Sequence, residues 1–465
     1  MKENLFRPYA ADSRLGLCRC GLHHSPSDCD VPPGQQRRAE NEEALSQDFV
    51  EAAAVHALFP HEPTRRAFLK AVGAGTAMAA ISSVLPLESL QAMAADSKTG
   101  GHLEKKNLNI GFIPITCATP LIMADPMGFY AKQGLNVSLN KVAGWALVRD
   151  RITNRELDAT HFLAPMPLAM TMGIGSAPQN MQVASIQNIN GQALTMSLRH
   201  INNRNPKNWR GMVFAIPFEH SMHNYLLRYF LAEHGLDPDR DVQLRVTPPA
   251  DMIANLRAGN IDGFFGPEPF NQRAVFDKVG YIHTLSRNIW NGHPCCAFGT
   301  SQAFIEQNPN TFLALYRAIL SATAAANKPE NRREIARAIA GANYLNQPEI
   351  VVRQVLTGRF ADGAGKVQDY PDRTGFDALP WQSFAVWMLT QMKRWGYVKG
   401  HVDYRALAEK VFMLTDAEKQ MRALGQSVPA RGAYPGFSVM GKAFDPAQPD
   451  AYAASFKIKR YRGET

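Results

Sequence analysis

Six cysteines in 465 residues are too few for a disulfide-built scaffold, and they fall into two separate groups, Cys18, Cys20 and Cys29 near the start and Cys117, Cys295 and Cys296 later. No apolar run reaches the roughly 18 to 20 unbroken residues of a spanning helix, which argues against a multi-pass membrane protein. Internal repeats and low-complexity tracts are lacking, as are clusters of Lys and Arg interleaved with aromatics, so nucleic acid is not an expected partner. There is no Walker loop, G-x-S-x-G or H-E-x-x-H, and no other pattern that specifies a catalytic class. What the chain does have is 45% apolar residues, enough for more than one sizeable core.

The stretch Pro63-Thr64-Arg65-Arg66-Ala67-Phe68-Leu69-Lys70 precedes a mild run, Ala71 to Leu87, rich in Ala, Gly, Ser, Ile and Val. This is the order of a twin-arginine signal, and Ala92-Met93-Ala94 offers the small alternating residues that a signal peptidase accepts. Cleavage is expected after Ala94, with Arg65 and Arg66 read by the twin-arginine translocase. No cysteine stands where a lipobox needs one, so the expected product is a soluble periplasmic protein rather than a lipid-anchored one. The alternative is a buried helix capped by Thr64. The first 94 residues hold 9 Lys+Arg and 11 Asp+Glu, so the remaining 41 basic and 30 acidic residues carry a formal +11. Such a balance attracts anions and acidic surfaces.

Ahead of the arginines, Cys18, Cys20, His23, His24 and Cys29 form C-x-C-x2-H-H-x4-C, ligand types suited to zinc but not a standard finger spacing. Disorder is the simpler expectation for this Pro- and Ser-containing region, with a metal-held handle as the alternative.

After the polar linker 95–106 the pattern alternates. Strands are expected at Leu108–Ile113, Asn136–Lys141, Asp158–Leu163, Gln182–Ile189, Leu194–Leu198, Met212–Ile216 and Val242–Val246. Between them fall helices at Leu121–Gln133, Arg149–Glu156, Met222–His234 and Ala250–Ala258. The economical fold class is doubly wound α/β. From about residue 310 the periodicity turns helical without strands, over 310–327, 332–340, 348–357, 379–395 and 403–413. An irregular tail closes the chain.

The run Ala258-Gly259-Asn260-Ile261-Asp262-Gly263-Phe264-Phe265-Gly266-Pro267-Glu268-Pro269 resembles type II periplasmic binding proteins of ABC importers. Further matches point to their nitrate/bicarbonate-binding branch: Gly111-Phe112-Ile113, Pro120-Leu121-Ile122 with Gly128-Phe129-Tyr130-Ala131, Gly144-Trp145, Ala164-Pro165-Met166-Pro167, Asn190-Gly191-Gln192 and Asn288-Ile289-Trp290-x-x-His293-Pro294. The resemblance spans about residues 107–415. It implies a two-lobed α/β fold with crossing strands between the lobes and a helical C-terminal extension. Lobe 1 is expected at 107–205 plus 286–415, lobe 2 at 206–285 and the tail at 416–465. It also implies a small anion, nitrate first, held in the cleft and surrendered to an ABC permease with its ATPase. Neither catalysis nor a cofactor is implied.

Trp145 and Gln192 match the residues that line the anion site in that branch, and His223 matches its histidine. A core indole and a backbone-satisfying amide are the plainer readings of the first two. Pro217 to Asn224 lies between a strand and a helix, where free N–H groups and the positive dipole end favour an anion, with His220 as competitor to His223. One departure is large: the branch carries a lysine two residues after His-Pro, and here Cys296 stands there. If the ligand is nitrate, His223, helix N–H groups or an arginine such as Arg149 must compensate. At about −1.5 kcal/mol per heavy atom, nitrate is limited to tens of micromolar in any case. Bicarbonate, cyanate or a sulfonate remain alternatives, as does sensing without transport.

Glu268 is a further candidate, either for a ligand with a proton to share or only as an acceptor between the lobes. Cys117 in the first cleft loop, with Cys295 and Cys296, makes a possible soft-metal site, or else a small buried apolar group or a disulfide. Pro294 to Phe298 also resembles the cysteine-rich motif of thiamine pyrimidine synthases, but the longer cysteine run is missing and export argues against such an enzyme.

Overall fold

The computed structural model describes residues 102–460. The expectations for Cys18, Cys20, His23, His24, Cys29, Arg65, Arg66, Ala92 and Ala94 lie outside the described residues. Among the described residues no helix is long and apolar enough to cross a membrane.

The first ten strands are β1 (Asn107–Phe112), β2 (Asn136–Lys141), β3 (Ala159–Leu163), β4 (Met181–Asn190), β5 (Gln192–Ser197), β6 (Val213–Ile216), β7 (Gln243–Val246), β8 (Gly263–Pro267), β9 (Gly280–Leu285) and β10 (Pro294–Ser301). Short strands follow at β11 (Arg359–Ala361), β12 (Val367–Asp369), β13 (Thr374–Gly375), β14 (Phe437–Val439) and β15 (Lys442–Phe444). A six-stranded sheet runs β13-β4-β10-β3-β1-β2, and a five-stranded sheet runs β7-β6-β8-β5-β9. In each, parallel strands joined through helices meet antiparallel strands that come from the crossings: β1 pairs in parallel with β2 and β3, whereas β10 pairs antiparallel with β3 and β4. Buried helices cover the sheets, so β3 and β8 are buried at every position. The fold is the two-lobed α/β architecture expected from the resemblance.

The chain passes from one sheet to the other between β4 and β5, and returns between β9 and β10. At the first crossing Asn190 has φ 58° and Gly191 φ 75°, two successive left-handed residues that turn the chain out of one sheet into the next. The Asn190 side chain then ties the two crossings together. Its Nδ2 donates to Asn291 Oδ1 at 3.0 Å and to Asp372 O at 2.9 Å, while its Oδ1 accepts from Gly292 N at 2.9 Å.

The structure departs from the sequence reading in four places. The expected helix Leu121–Gln133 is two short ones, Thr119–Met123 and Phe129–Lys132. Pro126 offers no N–H and Gly128 sits at φ 71°, which together break the run. The segment assigned to lobe 1 as 107–205 includes β5, which is hydrogen-bonded in the second sheet, so the change of sheet falls at Gly191. The helical C-terminal third contains strands after all, and β13 adds to the edge of β4. The tail 416–465 is more regular than expected. Helix Leu414–Ala423 enters it, and the β14–β15 hairpin and helix Pro449–Ala454 follow. Phe437 stacks on Trp290 at 4.1 Å, which anchors this tail to the return crossing.

A Cβ on Gly191 would stand 2.8 Å from Asn188 Nδ2 and 3.2 Å from Thr374 Oγ1, at a φ that L-residues rarely adopt. Gly191→Ala is expected to cost about 1–3 kcal/mol in urea unfolding. An unchanged midpoint would show that the crossing tolerates a side chain.

Candidate functional site

Trp145 is the first residue of helix Trp145–Thr153, which starts earlier than its periodicity suggested because Gly144, at extended backbone angles, takes the N-cap position. The indole is 1% exposed, its edge meets His161 of β3 at 4.9 Å between ring centroids, and its Nε1 has no hydrogen-bond partner. Gln192 opens β5 immediately after the crossing, is equally buried, and neither end of its amide has a partner of good geometry. His223 is the second residue of helix Met222–Glu233, whose N-terminus is capped by Ser221 accepting from Asn224 N at 3.0 Å. It is fully buried with both ring nitrogens unpartnered. Buried polar atoms without partners are uncommon and costly, so a group of them makes a candidate ligand site.

The sulfur of Cys295 links these residues. Cys117 lies in the 3-10 turn Thr116–Ala118 after β1, with its Sγ 3.3 Å from Cys295 Sγ, and Cys296 Sγ is 3.8 Å from Cys295 Sγ. Adjacent strand residues ordinarily face opposite sides of a sheet. Here the pairing of β10 with β4 slips between Pro294 and Cys296 and again between Cys296 and Ala297, and this irregularity brings both sulfurs to the same cluster. Burial pushes the Cys117 and Cys296 thiols well above the ordinary cysteine value. Burial acts on Cys295 in the same direction. It is outweighed by hydrogen bonds from the other two thiols, the charge response of His223 and the Gln192 amide, so Cys295 is the most acidic of the three.

The histidines of the cleft are held neutral. Burial lowers His223 to about 4 and His161 to about 3, with Cys295 opposing both shifts. Burial also lowers His293. His161 and His293 were not singled out from sequence. Each keeps its Nε2 unpartnered, while His161 Nδ1 lies 3.4 Å from Ile113 N and His293 Nδ1 lies 3.1 Å from Pro294 O. His220 stands apart, its Nδ1 3.4 Å from the Tyr225 hydroxyl and its ring edge on Tyr397.

Glu268 is not free to meet a ligand. Its Oε1 pairs with Arg373 with both side chains fully buried, and its Oε2 accepts from Gln272 N at 3.2 Å. Its backbone carbonyl accepts from Thr116 N at 2.8 Å and from Thr116 Oγ1 at 3.0 Å, which joins the two sides of the cleft across it. The sequence reading of Glu268 as an acceptor between lobes describes this position. Arg373, unsuspected from sequence, is neutralised by that pair and lies over the Phe360 ring at 3.9 Å. Arg149 spends its donors on Asp150 and on Gly175 O. The group formed by Trp145, Gln192, His223, His161 and the three cysteines therefore contains no unpaired cation among the described residues. A separate surface cavity of about 580 Å3, lined by Asp403, Arg405, Tyr434 and Asp445 among others, belongs to the C-terminal extension and includes none of these residues.

Two α/β sheets joined by crossing strands, with buried polar side chains collected near the crossing, are the architecture of a two-lobed solute-binding protein. The sequence profile of the NMT1-like family matches residues 101–340, and the chain belongs to that family. It is 32% identical to the nitrate/nitrite binding protein NrtA of Nostoc sp. PCC 7120, over 77% of this chain and 87% of that one. It is 33% identical to the bicarbonate transport ATP-binding protein CmpC of Synechococcus elongatus over 77% of this chain, but spans only 56% of that protein's length. The crystal structure of the periplasmic nitrate-binding protein NrtA from Synechocystis PCC 6803 superimposes with a TM-score of 0.74 at 28% identity, over 77% of this chain and all of that one.

Two histidines outside the cysteine cluster, His220 buried and His283 half-buried, make stability depend on pH. His220 faces Tyr225, Tyr397 and Arg149. His283 faces Trp209, Phe230, Tyr281, Arg204 and His234. Burial, then neighbouring cationic groups, lower each to about 4, against about 6.5 in the unfolded chain. Their contribution is full above pH 6.5 and is lost as pH falls towards 4, because the unfolded chain takes up protons that the folded one does not. Urea unfolding at stepped pH should show this fall, and the double variant His220→Gln with His283→Gln should make it shallower, leaving the part due to His223, His161 and His293. An equal slope in parent and variant would contradict the assignment.

Proposed function

We propose that the protein captures a small planar anion, nitrate first and bicarbonate as the second candidate, in its closed cleft. It then delivers the anion to a membrane permease driven by an ATPase. This places it in the periplasm, exported as a twin-arginine precursor. The observation that carries the proposal is the buried polar group around Cys295: the Trp145 indole against His161, both ring nitrogens of His223 without partners, and the Gln192 amide turned to the sulfur. The names of the relatives support it: one is a nitrate/nitrite binding protein, one belongs to bicarbonate transport, and the superimposed structure is a periplasmic nitrate-binding protein.

An indole N–H, an amide N–H2 and a neutral imidazole N–H are each able to donate to one oxygen of a planar trigonal anion. The positive end of helix Met222–Glu233 adds a fixed partial charge beside His223. Without a lysine at position 296 the charge is met by dipoles alone, which suits a weakly hydrated anion such as nitrate better than one with two charges. Binding and release involve no bond-making. The relatives bear the names of binding and transport proteins.

Titration calorimetry of the purified protein with nitrate, nitrite, bicarbonate and taurine tests this directly. Nitrate is expected to bind at about tens of micromolar, the ceiling for four heavy atoms. His223→Ala should weaken it by about tenfold or more while the circular dichroism spectrum is kept. Equal affinity in parent and variant would remove His223 from the site, and a response to taurine alone would replace nitrate by a sulfonate.

A further inference from the structure

The three cleft cysteines are not needed by the anion, and they are arranged as a ligand set. Their sulfurs all lie within 4.8 Å of one another, and all three residues are fully buried. Three sulfurs around one ion at about 2.3 Å each stand about 4 Å apart in a plane. The observed separations of 3.3 and 3.8 Å around Cys295 need only a slight opening to reach this. The arrangement is assembled against the regular pattern of the sheet: Cys117 comes from a turn after β1, and the slipped register of β10 brings Cys295 and Cys296 together. Simple packing of small apolar groups has no need of two adjacent strand residues turned towards a third thiol.

We infer that Cys117, Cys295 and Cys296 form a three-sulfur site for one soft, thiophilic cation of the copper(I) class. The donors select the ion. Thiolates favour soft cations, and no carboxylate belongs to the group, because Glu268 is committed to Arg373 and Gln272 N. Hard cations such as magnesium and calcium, which require oxygen ligands, are excluded on that ground. Each thiol that becomes a ligand gives one proton to solvent, and the ion keeps its oxidation state, so no oxidant enters the step. The inference uses the cleft described above but is independent of which anion that cleft takes.

The test uses the full chain with Cys18, Cys20 and Cys29 changed to Ser, so that only the cleft thiols remain. Under anaerobic, reducing conditions it is titrated with copper(I) against a chromophoric chelator. One equivalent per chain should pass from the chelator to the protein, and copper should raise the thermal unfolding midpoint. Cys295→Ser and Cys117→Ser should each abolish the transfer. Cys296→Ser supplies a third variant should either of these fail to fold. No transfer to the parent, or equal transfer to folded serine variants, would overturn the site. Nitrate calorimetry on the same preparation separates the two readings: nitrate binding without copper transfer overturns this inference alone, and the reverse leaves it standing without the anion.

Discussion

The Asn190 side chain holds the two strand crossings to each other, and the geometry of the cleft depends on it. It reaches Asn291, Gly292 and Asp372 at once, so the outgoing crossing, the returning crossing and the segment before β13 share a single side chain. Everything that lines the cleft is placed relative to this knot. Gln192 follows it by two residues, His293 precedes the β10 cysteines on the return, and Arg373 enters beside Thr374 to meet Glu268 on the far side. Three partly buried hydrogen bonds of ordinary strength contribute about 1 kcal/mol each. Their larger effect is positional, since they tie the two crossings to each other, and to the segment before β13, in the gap between the paired strands of one sheet and those of the other.

The second constraint is electrostatic. A closed cleft accepts charge only when it is paired, and the structure obeys this throughout. Arg373 and Glu268 cancel, Arg149 turns outwards to Asp150, and the cleft histidines are neutral because burial disfavours their charged forms. What is left for a ligand is a set of dipoles: an indole, an amide, imidazoles and the end of a helix. Such a site discriminates by shape and by the number of acceptor oxygens rather than by net charge. The same neutrality makes the cysteines distinctive, since a soft cation bound there would displace their protons to solvent and bring charge into the cleft.

Much of this was legible in the sequence. The βαβ alternation marked β1 to β7 to within a residue or two, because their hydrophobic periods are clean, whereas β9, β10 and β13 were not among the expected strands. Trp145, Gln192 and His223 stand at positions that the family resemblance pointed to, and all three are buried. Other features depend on distance in the chain or on a break in regularity. The partner of Glu268 lies 105 residues away, and His161 occupies an unremarkable place in a buried strand. The meeting of Cys295 with Cys296 rests on a register slip that no alternation pattern predicts. The break at Pro126 and Gly128 was readable from local chemistry, but the apolar periodicity across it masked the signal. The lobe boundary at Gly191 is marked by Asn-Gly, a turn pair whose use between two sheets emerges only once both sheets exist.

The central claim is that a small anion is held in this closed cleft by neutral donors from Trp145, Gln192 and His223. Its most direct test is a crystal structure of the protein grown in nitrate at several times its dissociation constant. The account predicts one planar anion within hydrogen-bond distance of Trp145 Nε1, the Gln192 amide and a ring nitrogen of His223, with no lysine or arginine in contact. An anion bound instead against an arginine outside the cleft, or a cleft that stays empty at saturating nitrate, would contradict it.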